Sequence, residues 1–328
     1  MCQRESESVV VLTVTDVVAA RKRTAEWVRR TPLLEADATG AAHVWFKLEF
    51  LQRCGVFKTR GAFNRQLAAR ERGELDPRVG IVAASGGNAG LANAYAARML
   101  GVCATVFVPE TSPAVKVARL HAYGATVHQV GAEYAEAFDA AQEFVATSGA
   151  LFCHAYDHPE IAAGAGVIGL EILEDLPHVD TIVVAVGGGG LFAGVATVAA
   201  AQGVHVVAAE PTRIPTLHTA LREGRPVDVT VSGVAADALG ARRIGDVASD
   251  VAQRVHPTSV LVEDEEITNG RDLLWDDYRI PSEHGAATAY AALTTGAYQP
   301  REGETIAVIA CGANTATATL GSATPTAR

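Results

Sequence analysis

Lys58 is the residue in this chain best placed to do covalent chemistry. It lies in Gly55-Val-Phe-Lys-Thr-Arg-Gly-Ala-Phe63, between an apolar strand-like run and the start of a helix-like segment. Flanked by Phe57 and Phe63 and partly kept from water, a lysine there loses its proton at low cost and can carry a carbonyl cofactor as an imine. Taken alone, it reads more simply as a surface lysine beside Arg60, because lysine is almost never fully buried without a partner. Other segments must decide between the two.

Three glycine-bearing loops bear on that choice, each at the end of an apolar run. Val183 to Val186 leads into Gly187-Gly188-Gly189-Gly190 and the helix-like segment from Gly190 to Gln202. Bare amides at a helix-opening turn form an anion site, with phosphate the natural guest. Ala84-Ser85-Gly86-Gly87-Asn88-Ala89-Gly90 also follows a strand and opens a helix. Its amides and the Ser85 hydroxyl can receive a carboxylate, while Asn88 can donate to a phenolate or accept from a protonated nitrogen. Val308 to Asn314 puts Cys311 at the carboxyl edge of a sheet, where open α/β folds bind ligands; by itself it reads as a small buried hydrophobe. A rival reading comes from Gly188-x-Gly190-x-x-Ala193 with Glu210 ending the next strand, the relaxed fingerprint of a nicotinamide-dependent dehydrogenase.

The elements that must position these loops alternate along the chain. Apolar runs at Val44 to Phe50, Val79 to Ala84, Ala104 to Val108, Thr126 to Val130, Thr181 to Val186, Val204 to Ala209 and Thr305 to Ala310 predict strands. Helical patterns cover Gly90 to Leu100, Pro113 to Tyr123, Ala132 to Ser148, Ile161 to Leu173, Gly190 to Gln202 and Ser282 to Tyr290. Strands apolar on both faces and alternating with helices predict an α/β fold with parallel sheets covered on both sides. The expected organisation is two lobes, the smaller inserted into the larger: residues 1–79 and 158–328 form a large domain and 80–157 a small one, with no regulatory domain after them.

Composition narrows the function classes. At 328 residues, 49% hydrophobic and 20% charged, with a formal net charge of −10, the chain is expected to be globular. Its scattered basic residues give no footprint for nucleic acid or an anionic membrane, so its partner is expected to be a small molecule. Five separated cysteines, Cys2, Cys54, Cys103, Cys153 and Cys311, fit reduced thiols in a cytoplasm and offer no zinc-ligand spacing. The polar N-terminus lacks the pattern of a signal peptide, and the tail from Gly321 to Arg328 is expected to fray.

Taken in order, the motifs resemble the fold-type II pyridoxal 5′-phosphate enzymes, the tryptophan synthase β-like group, and within it the serine/threonine dehydratase and serine racemase branch. The resemblance runs from Val28-Arg-Arg-Thr-Pro-Leu-Leu34 through Lys47 to Gln52, Phe57 to Ala62 and Ser85 to Asn88. It continues through His154 to Pro159, Ala163 to Gly166, Gly187 to Gly190, Ala209 to Pro211 and Cys311 to Asn314. It implies a homodimer with the cofactor held on Lys58 beside Phe57, and its phosphate on Gly187, Gly188, Gly189, Gly190 and Leu191. Asn88 would face its 3′-oxygen, Cys311 its pyridine nitrogen, and Glu283 would lie near it. Ser85, Gly86, Gly87, Asn88 and Ala89 would take the substrate carboxylate. The implied activity is loss of water and ammonia from a β-hydroxy amino acid, L-threonine or L-serine, through an aminoacrylate-type intermediate to a 2-oxo acid. β-Replacement, racemisation and a non-catalytic ligand-binding role are the alternatives within the fold.

The departures bear on specificity. Gly86 stands where serine racemases carry an opposite-face serine, Val56 replaces a serine before Phe-Lys, and Ala165 replaces a glutamine, which admits a bulkier or different β-hydroxy amino acid. Glu210 matches a divalent-cation ligand of some relatives, but Thr216 replaces the acid expected after it, so no metal is assigned. His154, His158 and Arg242-Arg243 read as loop, core or surface residues, Asp157 as near the cofactor by family position, and Glu263 to Glu266 as an acidic helix start.

Overall fold

The computed structural model describes residues 11–36 and 42–320; Cys2 and the tail from Gly321 lie outside them. The strands are β1 (Leu33–Glu35), β2 (His43–Lys47), β3 (Ile81–Ala84), β4 (Ala104–Val108), β5 (Thr126–Gln129), β6 (Leu151–Phe152), β7 (Thr181–Ala185), β8 (His205–Pro211), β9 (Thr258–Val262) and β10 (Thr305–Ile309). They form two sheets, of order β1-β2-β10-β7-β8-β9 and β5-β4-β3-β6. Only β1 pairs antiparallel; the other pairings are parallel. The smaller sheet falls between β2 and β7 in the chain.

Each apolar run expected to be a strand overlaps one, with β2 starting a residue before its run and β8 ending two residues after its run. The central strand β7 illustrates why, since Ile182 and Val184 point into one core while Val183 and Ala185 point into another. A strand buried on both faces must be apolar at every position, which gives the continuous run seen in the sequence. The helices are α1 (Val14–Thr24), α2 (Lys58–Glu71), α3 (Asn88–Leu100), α4 (Ala114–Ala122), α5 (Tyr134–Ser148), α6 (Pro159–Asp175), α7 (Gly190–Ala201), α8 (Thr216–Glu223), α9 (Ala236–Leu239), α10 (Asp246–Val255), α11 (Asp264–Tyr278) and α12 (His284–Thr294). Helices α6 and α7 approach closely because Gly194 leaves no side chain between them; a Cβ there would come within 2.1 Å of the Ala162 carbonyl oxygen. The acidic start expected at Glu263 is a capping box, its side chain and that of Glu266 each bonded to the other's backbone amide.

Helix α2 departs from a simple amphipathic pattern. Its buried residues include Arg60, Asn64 and Gln66, and Phe57 provides no side-chain cap. Arg60 is fully buried rather than on the surface. Its guanidinium donates to Glu49 Oε1 and Oε2 at 2.7 and 2.9 Å and to Glu171 Oε1 and Oε2 at 2.7 and 2.9 Å. Lys47, also fully buried, donates to Glu171 Oε2 at 2.7 Å and to the Thr31 carbonyl at 2.6 Å. Two cations and two carboxylates thus neutralise one another inside the fold and fix the first turn of α2. Further along, Ala62, Phe63, Leu67 and Ala69 of this helix pack into the core of the small sheet.

Candidate active site

A cavity of about 360 Å³ opens at the carboxyl ends of β3, β7 and β10. Lys58 enters it from the start of α2, Ser85, Gly87, Asn88 and Ala89 from the β3–α3 turn, Gly187 to Leu191 from the β7–α7 turn, Glu283 from the residue before α12 and Cys311 from beyond the end of β10. Of the residues singled out in the sequence, Phe57, Lys58, Ser85, Gly87, Asn88, Ala89, the four glycines, Leu191, Glu283 and Cys311 line it. Gly86 does not; a Cβ there would point at Val108, 3.3 Å from its Cγ1.

Lys58 Nζ donates to the Ala155 carbonyl at 3.3 Å and lies 5.2 Å from the centroid of the Phe57 ring. Burial lowers its pKa, opposed by the nearby acidic groups Cys311 and Glu283. The Phe57 amide donates to the Cys311 carbonyl at 3.0 Å, and Val56 bridges Gly312, so the end of β10 is fastened to the residues that lead into Lys58. Burial pushes the Cys311 thiol up, which leaves it protonated, a weak hydrogen-bonding group. Glu283 is the N-cap residue of α12, and its side chain makes no capping bond but lines the cavity. Burial raises its pKa and the Asn88 amide opposes that rise, with Nδ2 donating to Oε1 at 2.9 Å and Oε2 at 3.0 Å.

The glycine tetrad is naked for a steric reason. A Cβ on Gly188 would lie 2.2 Å from the Tyr156 ring and one on Gly190 2.7 Å from the Tyr156 carbonyl oxygen, while Gly189 takes φ +88°. The turn therefore offers only backbone at the start of α7, where amides without intrahelical partners favour an anion. In the β3–α3 turn, Ser85 Oγ accepts from the Gly87 amide at 3.3 Å.

Several cavity residues carry no signal in their spacing. Tyr134, His154 and Tyr156 make an aromatic side, and the segment from Asp237 to Arg243 borders the opening. His154 and Arg242-Arg243, read from the sequence as ordinary loop and surface residues, belong to this lining. Lys116 of α4 pairs with Asp237 of α9 there. Asp157 is not in the lining; its Oδ1 accepts from the Val247 amide at 3.1 Å, and His158 caps α6.

The dinucleotide reading fails on Glu210. That carboxylate is fully buried away from the cavity and accepts from the Leu217 and His218 amides at 2.8 and 2.7 Å, so it caps α8 instead of facing a ribose. A family model described as pyridoxal-phosphate dependent enzyme matches residues 24–312. The chain belongs to that family. An L-threonine ammonia-lyase of Geobacter sulfurreducens is 36% identical over 92% of this chain and 76% of its own length. A phenylserine dehydratase of Ralstonia pickettii is 34% identical over 93% of this chain and 94% of its own. Among solved structures, a serine racemase of Dictyostelium discoideum superposes with a TM-score of 0.86 at 29% identity, covering 93% of this chain and 99% of its own. The two mostly parallel sheets are those of fold-type II pyridoxal-phosphate enzymes.

The cavity has groups that suit this cofactor. It combines an amine whose charged form burial disfavours, a side-chain-free turn at a helix start, and an uncharged thiol at a strand end. Among the described residues, no helix is long and apolar enough to cross a membrane.

Proposed function

We propose that this protein is a pyridoxal-phosphate-dependent ammonia-lyase that converts a β-hydroxy amino acid, L-threonine or L-serine first, to a 2-oxo acid and ammonia. The observation that carries the reading is Lys58, a cavity-lining amine that, among the described residues, meets a carbonyl oxygen and no carboxylate within hydrogen-bonding distance. When bound, the cofactor supplies the electron sink that makes the substrate's α-proton acidic.

In this reading Lys58 would hold the cofactor with Phe57 beside it, and its Nζ would serve as the general base that takes the substrate's α-proton. The amides of Gly187 to Leu191 hold the phosphate, and those of Ser85 to Ala89 receive the substrate carboxylate. Cys311 would serve the cofactor's ring nitrogen, and its protonated thiol is too weak a donor to charge that ring, which suits prompt loss of the β-group. The β-hydroxyl departs with a proton as water, and the released enamine hydrolyses to the oxo acid and ammonia. Gly86 stands where serine racemases carry their opposite-face serine, and the lack of that base favours elimination over racemisation. The division into a large domain and a small domain of residues 80–157 that closes over the substrate, and a cytoplasmic homodimer, belong to the same reading.

A larger substituent is the second reading. Tyr134, His154 and Tyr156 give the cavity an aromatic side suited to an aryl group, and one relative is named for phenylserine. Oxo acid and ammonia would be assayed over threonine, serine and phenylserine with the pyridoxal-phosphate-loaded protein, alongside its visible spectrum. A visible band with turnover on one of the three is expected, and Lys58→Ala should lose both. A wild type without the band, or a Lys58→Ala variant that keeps both, would end the proposal.

A further inference from the structure

Asn88 is the pivot of a hydrogen-bond chain that begins on α4. Arg119 Nη2 donates to Asn314 Oδ1 at 2.7 Å. Asn314 Nδ2 donates to Asn88 Oδ1 at 2.7 Å and to the Cys54 carbonyl at 3.0 Å. Asn88 Nδ2 then donates to both oxygens of Glu283.

The two ends of a carboxamide are nearly equal in shape, so which one an asparagine offers is decided by its neighbours. Here groups of fixed role decide it. A guanidinium only donates, so Asn314 must turn Oδ1 toward Arg119. A backbone carbonyl only accepts, so the Cys54 oxygen independently requires Nδ2 of Asn314 on its own side. Asn314 is then a donor toward Asn88, which must answer with Oδ1. Only Nδ2 of Asn88 remains for Glu283 and the cavity.

We infer that Arg119 and Asn314 are positioning residues that lock Asn88 as a hydrogen-bond donor toward the cavity, so that it serves an anionic oxygen of the cofactor and cannot accept from a protonated nitrogen. This rests on the reading that Asn88 faces the cofactor. It decides between the two roles that the sequence leaves open for that amide, and it assigns the decision to a side chain on the helix after β4, distant in sequence from every glycine loop.

The test inverts the chain. Arg119→Glu replaces a pure donor by a pure acceptor, which draws Asn314 Nδ2 toward itself and leaves an acceptor facing Asn88. Asn314→Asp keeps the shape and removes the donor to Asn88. In either variant, losing a cofactor hydrogen bond should weaken pyridoxal phosphate binding to the apoprotein about tenfold. It should also change the pH dependence of the visible band of the loaded protein. Arg119→Lys, which still donates, should restore both to near wild type, a rescue that a merely structural role for Arg119 would not give to the spectrum. Circular dichroism and melting establish that each variant folds, and if Arg119→Glu does not, Asn314→Asp carries the test. A wild type that forms no visible band with pyridoxal phosphate overturns the cofactor reading itself. A wild type that forms the band, with folded variants matching it in affinity and pH profile, overturns this inference alone.

Discussion

Lys47 is fully buried and Lys58 half-buried, and in both burial lowers the pKa, yet the regions around them make opposite use of the amine. Lys47 closes an ion cluster with Glu171, Arg60 and Glu49, at 2.7 Å from a carboxylate oxygen. Its charge is matched and its proton is held. Lys58 finds one carbonyl at 3.3 Å, and the acidic groups nearest to it in effect, Cys311 and Glu283, act through space and not by contact. Burial makes deprotonation cheaper in both places. The presence or absence of a bonded counter-ion is what separates a structural lysine from one free to react.

That contrast is tested most severely by removing each amine. Lys58→Ala should lower turnover by about a thousandfold or more, since nucleophile and general base vanish together, while the melting transition of the apoprotein is kept. Arg60→Met should do the reverse. It leaves Glu49 and Glu171 buried without their main partner, a loss of about 3–5 kcal/mol in denaturant unfolding. Lys47→Met is expected to fall at the lower end of that range, because Arg60 still bonds Glu171. A Lys47→Met protein that unfolds like wild type but has lost turnover would reverse the assignment of the two regions.

A smaller effect separates them by pH. Lys58 has a folded pKa below its ordinary value of 10.5, so the unfolded chain binds the extra proton across the interval between the two. Stability of the apoprotein contributed by this site is therefore full above 10.5 and falls as pH drops toward the depressed value, below which the penalty is constant. Lys58→Met should remove that slope and leave the apoprotein more stable than wild type near neutrality. Unfolding of both proteins across this pH range checks it; parallel curves would mean that Lys58 is as well solvated as a surface lysine.

The same contrast explains what could be read from the sequence. Strands such as β4 and β7 were legible because a strand covered on both faces must be apolar throughout, and the glycine turns because a bare backbone leaves its mark in composition. The short strands β1 and β6 span too few residues to show a pattern, and β9 has only two buried positions. Helix α2 hid its length because Arg60, Asn64 and Gln66 point inward, where Arg60 bonds Glu171, Asn64 Nδ2 the Glu160 carbonyl and Gln66 Nε2 the Asn93 carbonyl, all distant in the chain. Tyr134, Tyr156 and the segment from Asp237 to Arg243 were illegible as site residues for a related reason: only the folded arrangement brings them to the cavity. A charge that is matched at long range looks in sequence like any surface charge.

The finest test concerns the carboxylate that Lys58 feels but does not touch. Glu283 favours the ammonium form of Lys58 through its charge. Glu283→Gln removes that charge and keeps an oxygen able to accept from Asn88, so the network around the amine is preserved while its electrostatics change. The pKa of Lys58 should then fall further, and a larger fraction of the amine should be neutral at any pH below its titration. Capture of pyridoxal phosphate by the apoprotein requires the neutral amine, so the pH at which capture is half-maximal should move to the acid side in Glu283→Gln. An unmoved midpoint would mean that Glu283 is already uncharged beside Lys58, and that the amine owes its availability to desolvation alone. A shift to the alkaline side would show the carboxylate acting as a proton acceptor for Lys58, which would draw that region closer to the one around Lys47.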